Sequence, residues 1–241
     1  MRIVLLAVLL AVPQLSFAVQ PVTSHVDRWE VDWGNQKLRL YGETKVGAES
    51  EGMEKASQRA WRDGVSYLNQ NLTPALQQLQ GEQAQTKAGL AGKLTSYNTI
   101  YYADGKVRVF LEAKLPEVFS VKTGAAFDAS AAAGARHSSL VLQLDKGRSP
   151  SATYVVKDEA GKVLFDKTQV AQRHFDSNLM GRWYRGSPTT LPSNIVGSRP
   201  KIVTVKVTSG GDLQVSRSVW QEIVQADQGL LQQAKVVLLQ P

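Results

Sequence analysis

Residues that commonly carry chemistry are few and scattered in this chain of 241 residues. The three histidines, His25, His137 and His174, lie far apart in the sequence. None forms an i, i+4 pair that would place two imidazoles on one helix face toward a metal. The chain contains no cysteine, so thiolate zinc sites and disulfides are excluded. We therefore predict no metal site.

Carboxylates come close together in two places, and each has a structural explanation. Glu49, Glu51 and Glu54 stand at the expected start of a helix, where the helix dipole favours negative charge. Asp158 and Glu159 stand in an expected hairpin turn, and Asp is a common turn former. We interpret neither group as an acid–base pair.

Local motifs of the common enzyme classes are missing as well. The sequence contains no G-x-S-x-G nucleophile elbow and no G-x-x-x-x-G-K-[ST] phosphate loop. Gly210-Gly211-Asp212 leads into a second short strand, which predicts a hairpin turn and not a phosphate site. We predict no catalytic residue and no cofactor. An enzyme assembled from distant residues, around His174 and Asp176, is the third alternative.

Aromatic residues beside arginine suggest a binding surface. Trp, Tyr and Arg are enriched at protein interfaces, and Trp and Tyr also stack on sugar rings. One such segment lies in an irregular stretch, and two further tryptophans precede the first strand, so the candidate interaction surface comprises Trp29, Trp33, Arg182, Trp183, Tyr184 and Arg185. The alternative is that Trp183 and Tyr184 plug their loop onto the second domain, and that Trp29 and Trp33 cover a sheet edge or pack against a neighbouring subunit.

The first 18 residues have the pattern of a cleavable secretory signal peptide. Arg2 precedes an apolar run over residues 3–12, and the small residues Ser16 and Ala18 form a cleavage site. The run is about half the roughly 20 residues that span a bilayer. We expect cleavage after Ala18, a periplasmic location and no transmembrane segment in the mature chain. Without a cysteine at the cleavage site, we expect no lipid anchor.

The net charge of +7 becomes +6 once Arg2 is removed with the signal. The positive residues are dispersed, with no run of like charges, so an ordinary basic surface is the favoured interpretation. Contact with anionic envelope surfaces is the alternative. We expect no nucleic-acid binding, because no basic helix with interleaved aromatic residues is present.

Hydrophobic periodicity gives the elements of the first half. Residues 37–42 alternate as a half-buried strand, and residues 48–80 have the apolar spacing of a long amphipathic helix that Pro74 kinks or interrupts. Small residues on its apolar face would let the helix lie close to a sheet: Ala56, Ala60 and Gly64. Residues 97–102 and 107–115, joined by Asp104-Gly105, form a hairpin.

The second half repeats this mixture of strands and one main helix. Strands are expected at 139–144, 153–156, 162–165, 202–207, 213–215 and 236–239, with a helix from Ser218. The sequence therefore predicts the α+β class. It divides into a signal peptide (1–18), a strand-helix-strand-strand domain (19–123), an Ala/Gly-rich linker (124–136) and a second α+β domain (137–241).

The order of elements in residues 37–115 resembles the FlgP-like family of flagellar outer-membrane lipoproteins. The features that carry the resemblance are the strand ending at Gly42, the Ala/Arg-rich helix around residues 54–60 and the Asp104-Gly105 hairpin. The resemblance implies a non-enzymatic component of an envelope assembly, and this chain departs from the family in lacking the lipidation cysteine.

Two main hypotheses follow for function. The first is a periplasmic structural protein that contacts other envelope proteins or forms a homo-oligomer. The second is a periplasmic binding module for an anionic or carbohydrate ligand, which the segment Arg182–Arg185 would hold.

Overall fold

The computed structural model describes residues 18–47, 52–74, 76, 85–86, 89–126 and 128–241. The expected signal peptide lies outside this part of the chain, apart from Ala18, as do Glu49 and Glu51. Within the described residues, helices pack on antiparallel and mixed sheets, which confirms the α+β class. No helix of this part is long and apolar enough to cross a membrane.

The described strands are β1 (Gln20–Pro21), β2 (Thr23–Val26), β3 (Trp29–Asp32), β4 (Lys37–Lys45), β5 (Gln85–Thr86), β6 (Thr95–Tyr101), β7 (Lys106–Lys114), β8 (Phe119–Ser120), β9 (Ser139–Leu144), β10 (Val156–Lys157), β11 (Val163–Phe165), β12 (Arg182–Arg185), β13 (Pro200–Val207), β14 (Leu213–Gln214) and β15 (Val236–Gln240). The described α-helices are α1 (Met53–Tyr67), α2 (Ala129–Ala133), α3 (Gln172–Asn178), α4 (Ser193–Val196) and α5 (Arg217–Gln232).

The first sheet is antiparallel, with the order β2-β3-β4-β7-β6. The predicted hairpin is confirmed: β6 pairs with β7 through a turn in which Gly105 has a φ of +79°. The Asp104 carboxylate accepts the backbone N–H of Lys106 at 3.0 Å. The edge of this sheet is therefore fixed by a turn that the sequence specifies locally.

Helix α1 covers one face of this sheet through its small residues. Ala56, Ala60 and Gly64 are buried, as predicted. A Cβ added to Gly42 of β4 would lie 1.8 Å from the Ala60 carbonyl oxygen, so the two backbones touch. Helix α1 begins at Met53, and a π-helical turn at Leu68–Leu72 follows it before Pro74. Residues 48–51, 75 and 77–80 of the predicted helix lie outside the described residues.

The second sheet has eight strands in the order β1-β12-β15-β9-β13-β14-β10-β11. Its four central strands, from β12 to β13, are parallel, and every residue of β15 is buried. The turn at residues 210–212 joins β13 to an antiparallel β14, which confirms the predicted hairpin. Helix α5 begins at Arg217, near the predicted start at Ser218, and its capping residue is Ser216, whose hydroxyl accepts the backbone N–H of Val219.

The predicted Ala/Gly-rich linker, residues 124–136, includes a short helix. It contains α2, which packs against α5, and the N–H of Asp128 donates to the Gln232 Oε1 at 3.1 Å. Asp128 accepts the N–H of Ser130 at 2.9 Å, which caps a run of alanines with high helix propensity. Strand β1, from the first predicted domain, joins the second sheet.

Candidate interaction surface

The aromatic residues of the predicted interaction surface are core residues. Trp33 and Trp183 are each 1% exposed, and Trp29 and Tyr184 are also buried. The prediction that these four side chains form a surface is therefore wrong for the folded chain. For Trp183 and Tyr184, the alternative, in which they plug their loop onto the second domain, describes what the structure shows.

The physical reason is that the β3–β4 turn docks onto β12. The Tyr184 hydroxyl donates to the Gly34 carbonyl at 3.0 Å, and the Gln36 amide donates to the Gly181 carbonyl at 3.1 Å. Trp33 stacks on Phe119, with ring centroids 6.3 Å apart. The two sheets thus share a junction that buries aromatic residues from both halves of the chain.

Trp183 is held on all sides within this junction. Its indole N–H donates to the Ser151 carbonyl at 3.0 Å, and Tyr154 meets it edge-on with centroids 6.4 Å apart. The Arg148 guanidinium lies 5.3 Å from the ring centroid and donates to the Gly211 carbonyl. Burial lowers the pKa of Arg148. Such a satisfied, enclosed indole anchors the fold and leaves no face for a ligand.

The two arginines of the segment remain at the surface, at opposite ends of β12. Arg185 is exposed, whereas Arg182 is half-buried and donates to the Asn178 side chain at 3.3 Å. Arg182 also lines a pocket of about 270 Å³ together with Lys235. None of the described residues that line this pocket is acidic.

His137 forms a pair with a buried carboxylate that sequence spacing did not show. Its Nδ1 lies 2.7 Å from Asp227 Oδ2, and its backbone N–H donates to Oδ1 at 2.9 Å. Asp227 has non-helical backbone angles and kinks α5. The neighbouring Ser138 and Ser139 hydroxyls donate to the Val196 carbonyl, both at 2.6 Å, so neither is poised as a nucleophile. The pair fastens β9 to α5.

The other two histidines lie elsewhere. His25 is exposed beside Thr23, and His174 shares α3 with Asp176. Burial and the nearby charges of Arg173 and Lys235 lower the pKa of His174. Among the described residues, no three His, Asp or Glu side chains come together as metal ligands.

The face of the five-stranded sheet away from α1 carries an aromatic and cationic cluster. We define the outer-face cluster as Arg39, Tyr41, Tyr97, Arg108 and Phe110. The Phe110 ring lies 6.0 Å from both Tyr41 and Tyr97, and the Arg108 guanidinium lies 4.1 Å from the Tyr41 centroid. These residue types in contact are those enriched at protein interfaces.

The arginines of the outer-face cluster are neutralised by carboxylates. Arg39 binds Glu112 at 2.9 Å and Glu30 at 3.1 Å, and Arg108 binds Glu43 at 2.7 Å. The hydrogen bond that Arg108 donates to Glu43 lowers the pKa of Glu43, and the hydrogen bond that Arg39 donates to Glu112 raises the pKa of Arg39. An anionic ligand would have to displace these carboxylates, so the face suits a mixed protein surface better than an anion.

Strand β6, at the edge of the same sheet, has no charged residue. Residues 94–103 contain no Lys, Arg, Asp or Glu, and within the described chain no strand pairs with the outer edge of β6. Tyr97 is 52% exposed and Ile100 37% exposed. Natural edge strands are usually protected by Lys, Pro or a covering segment. The absence of charge was a signal in the sequence, but only the topology shows that this strand is an edge.

No protein-family model matches the chain, and a search of curated proteins found no similar sequence. The fold and surface alone therefore define the class: an α+β protein whose antiparallel sheet combines an uncharged edge with an aromatic outer face.

Proposed function

We propose that the chain is a non-enzymatic, exported envelope protein that works through protein–protein contacts made by β6 and the outer-face cluster. The observation that carries this proposal is the uncharged, exposed edge of β6, because an open edge offers a row of backbone donors and acceptors to an added strand. Tyr97 lies where β6 meets the outer-face cluster, so it connects the edge and the face.

The setting of this function follows from the sequence. The signal peptide over residues 1–18 supports export to the periplasm, and the resemblance to the FlgP-like family points to a flagellar envelope machine. The missing lipidation cysteine means that the protein would reach its site by contacts with other proteins and not by a lipid.

Photo-cross-linking in intact cells tests this proposal. A photoreactive amino acid at Tyr97 should give discrete cross-linked protein bands, because this side chain is exposed at the proposed contact. The matched control is Met53 at the start of α1, which is 64% exposed and outside the surface. We expect at least fivefold more product from Tyr97, and equal yields at the two positions would contradict the proposal.

A second candidate function, a binding module for an anionic ligand, is favoured by the pocket beside Arg182. Arg182 and Lys235 contribute two cations, Asn178 and Asn194 contribute amides, and no acidic residue is among its described lining. Charge-assisted hydrogen bonds from arginine bind carboxylate and phosphate groups strongly. The pocket of about 270 Å³ would hold a small anion or an acidic sugar.

Isothermal titration calorimetry with inorganic phosphate and with glucuronate tests the second candidate. Binding should weaken at least tenfold in Arg182→Ala, which removes one of the two cations of the pocket. Arg185→Ala is the control, because it removes the same charge from the other end of β12. Absence of binding to the unaltered protein would overturn this candidate.

A further inference from the structure

We infer that the groove between β13 and α5 binds an extended, uncharged peptide segment of another protein, which adds to β13 as a strand. This inference goes beyond the proposed function, because the groove belongs to the eight-stranded sheet and not to β6. It follows from the direction of the backbone groups of β13, the size of the groove and the side chains that line it.

The first part of β13 has a partner strand on one side only. On that side, β9 pairs in parallel with residues 200–205. On the other side, β14 pairs with Lys206 and Val207 alone. Within the part of the chain that the structure describes, no strand pairs with Ile202 or Thr204 on this second side. The first part of β13 is therefore an open edge, although the strand lies inside the order of the sheet.

The hydrogen bonds to β9 show which residues of β13 face it. The Val205 carbonyl accepts the N–H of Asp145 at 3.0 Å. Just before β13, the Arg199 carbonyl accepts the N–H of Ser138 at 2.9 Å. The odd-numbered residues therefore direct their backbone groups toward β9. Because successive residues of an extended strand alternate in this direction, the even-numbered residues direct theirs to the other side.

Ile202 and Thr204 consequently present two N–H and two C=O groups to the open side. They are in phase with Lys206, which pairs on that side with Gln214 of β14. A small ligand would bind one or two of these groups, whereas an extended peptide backbone matches all four at the spacing of two residues. Strand addition to an open edge uses such an array for affinity.

The open edge lines a groove that has room for a peptide. Its volume is about 560 Å³, within the range of roughly 300–1,000 Å³ that is typical of ligand-binding clefts. The apolar residues that line it come from β13, from the end of β14 and from the first turn of α5: Ile202, Val203, Val215 and Val219. Apolar side chains of an added strand would lose water-exposed surface against them.

The charged side chains of the groove balance one another. Strand β13 contributes Lys201 and Lys206, whereas Glu222 comes from α5 and Glu159 from the turn after β10. An acidic or a basic peptide would meet like charges as well as opposite ones, so neither is selected by charge. An uncharged segment therefore fits this groove best.

Fluorescence anisotropy on the exported protein tests the inference. The probe is a fluorescein-labelled six-residue peptide of alternating valine and threonine with an amidated C-terminus, because main-chain hydrogen bonds supply affinity in strand addition. We expect saturable binding. N-methylation of one alternating set of residues should weaken it roughly tenfold or more, since it removes the N–H groups that face β13. Methylation of the other set, which faces away from β13, should change it little.

Two results of this titration would contradict strand addition. One is the absence of saturable binding by the unmethylated peptide. The other is an equal loss of binding from both methylated sets, which would mean that the peptide does not present one backbone edge to the protein.

A substitution in the groove gives the location of binding. Val219→Arg places a long cationic side chain in the groove and should weaken binding roughly tenfold or more, because it occupies space that the peptide needs. Val224→Arg is the matched control, since this residue lies on the same helix, is 36% exposed and does not line the groove. Thermal denaturation checks that both variants are folded, and unchanged binding by a folded Val219→Arg would overturn the groove as the site.

Amide hydrogen exchange measured by NMR gives a third, independent readout. The N–H groups of Ile202 and Thr204 should exchange rapidly in the free protein and slowly with the peptide bound. Those of Val203 and Val205, which face β9, should be protected in both states. Protection of Ile202 and Thr204 in the free protein would show that the chain itself covers this edge, and this outcome would overturn the inference.

Discussion

Replacing Gly42 with alanine is expected to destabilise the protein by about 3 kcal/mol or more, because the new Cβ would overlap the backbone of α1. The added carbon would lie 1.8 Å from the Ala60 carbonyl oxygen and 2.3 Å from the Gly64 nitrogen. Neither atom belongs to a flexible side chain, so the whole helix must move away from the sheet. For a chain of this size, thermal denaturation should show a fall in Tm of roughly 10 °C.

Alanine substitutions at two other glycines, Gly64 and Gly92, provide comparisons for the loss of stability expected in Gly42→Ala. A Cβ at Gly64 would meet the movable Leu111 Cδ1 at 2.8 Å and the Gly42 backbone nitrogen at 3.0 Å. The backbone overlap is smaller than at Gly42, so Gly64→Ala should cost less than Gly42→Ala. A Cβ at Gly92 would meet nothing within 4 Å, so Gly92→Ala should leave the Tm nearly unchanged. If Gly42→Ala and Gly92→Ala had the same Tm, the close approach of α1 and β4 would be refuted.

These glycines also show how far the sequence predicts the fold. The small residues of α1 recur at helical spacing, and the Asp104-Gly105 turn is a local signal. The structure confirms the buried small face of the helix and the hairpin that these two patterns predict. The contact of Gly42 with Ala60 depends on how deeply the helix settles onto the sheet. That depth is set by packing between elements, and the periodicity of a single element gives no information about it.

Both the wrong prediction for Trp183 and Tyr184 and the missed edge at β6 come from contacts that depend on the tertiary fold. Residue type predicted that Trp183 and Tyr184 would form a binding patch, but the partner that buries Tyr184 is Gly34, 150 residues earlier in the chain. For β6, the sequence shows the lack of charge but does not show that the strand is exposed at a sheet edge. Whether an aromatic strand is a core strand or an edge is decided by the strand order of the sheet.

Trp183→Ala is the second substitution with a large expected effect, a loss of about 3–5 kcal/mol in the free energy of unfolding. The substitution removes the indole packed against Tyr154 and beneath the Arg148 guanidinium. It also leaves the Ser151 carbonyl without its indole donor, and an unsatisfied buried polar group adds to the cost of the cavity. Chemical denaturation followed by circular dichroism measures the loss.

Arg185→Ala is the matched control, because this side chain lies on the same strand and is exposed, so its loss should change stability by less than about 0.5 kcal/mol. Trp183→Phe separates packing from hydrogen bonding, since it keeps an aromatic ring and removes the N–H. Its loss in free energy of unfolding should lie between those of Arg185→Ala and Trp183→Ala. A stable Trp183→Ala variant would mean that the indole is not a core residue, and the segment Arg182–Arg185 would return as a binding surface. A large loss confined to Trp183 instead leaves β6 and the outer-face cluster as the exposed aromatic surface through which the protein meets its partners.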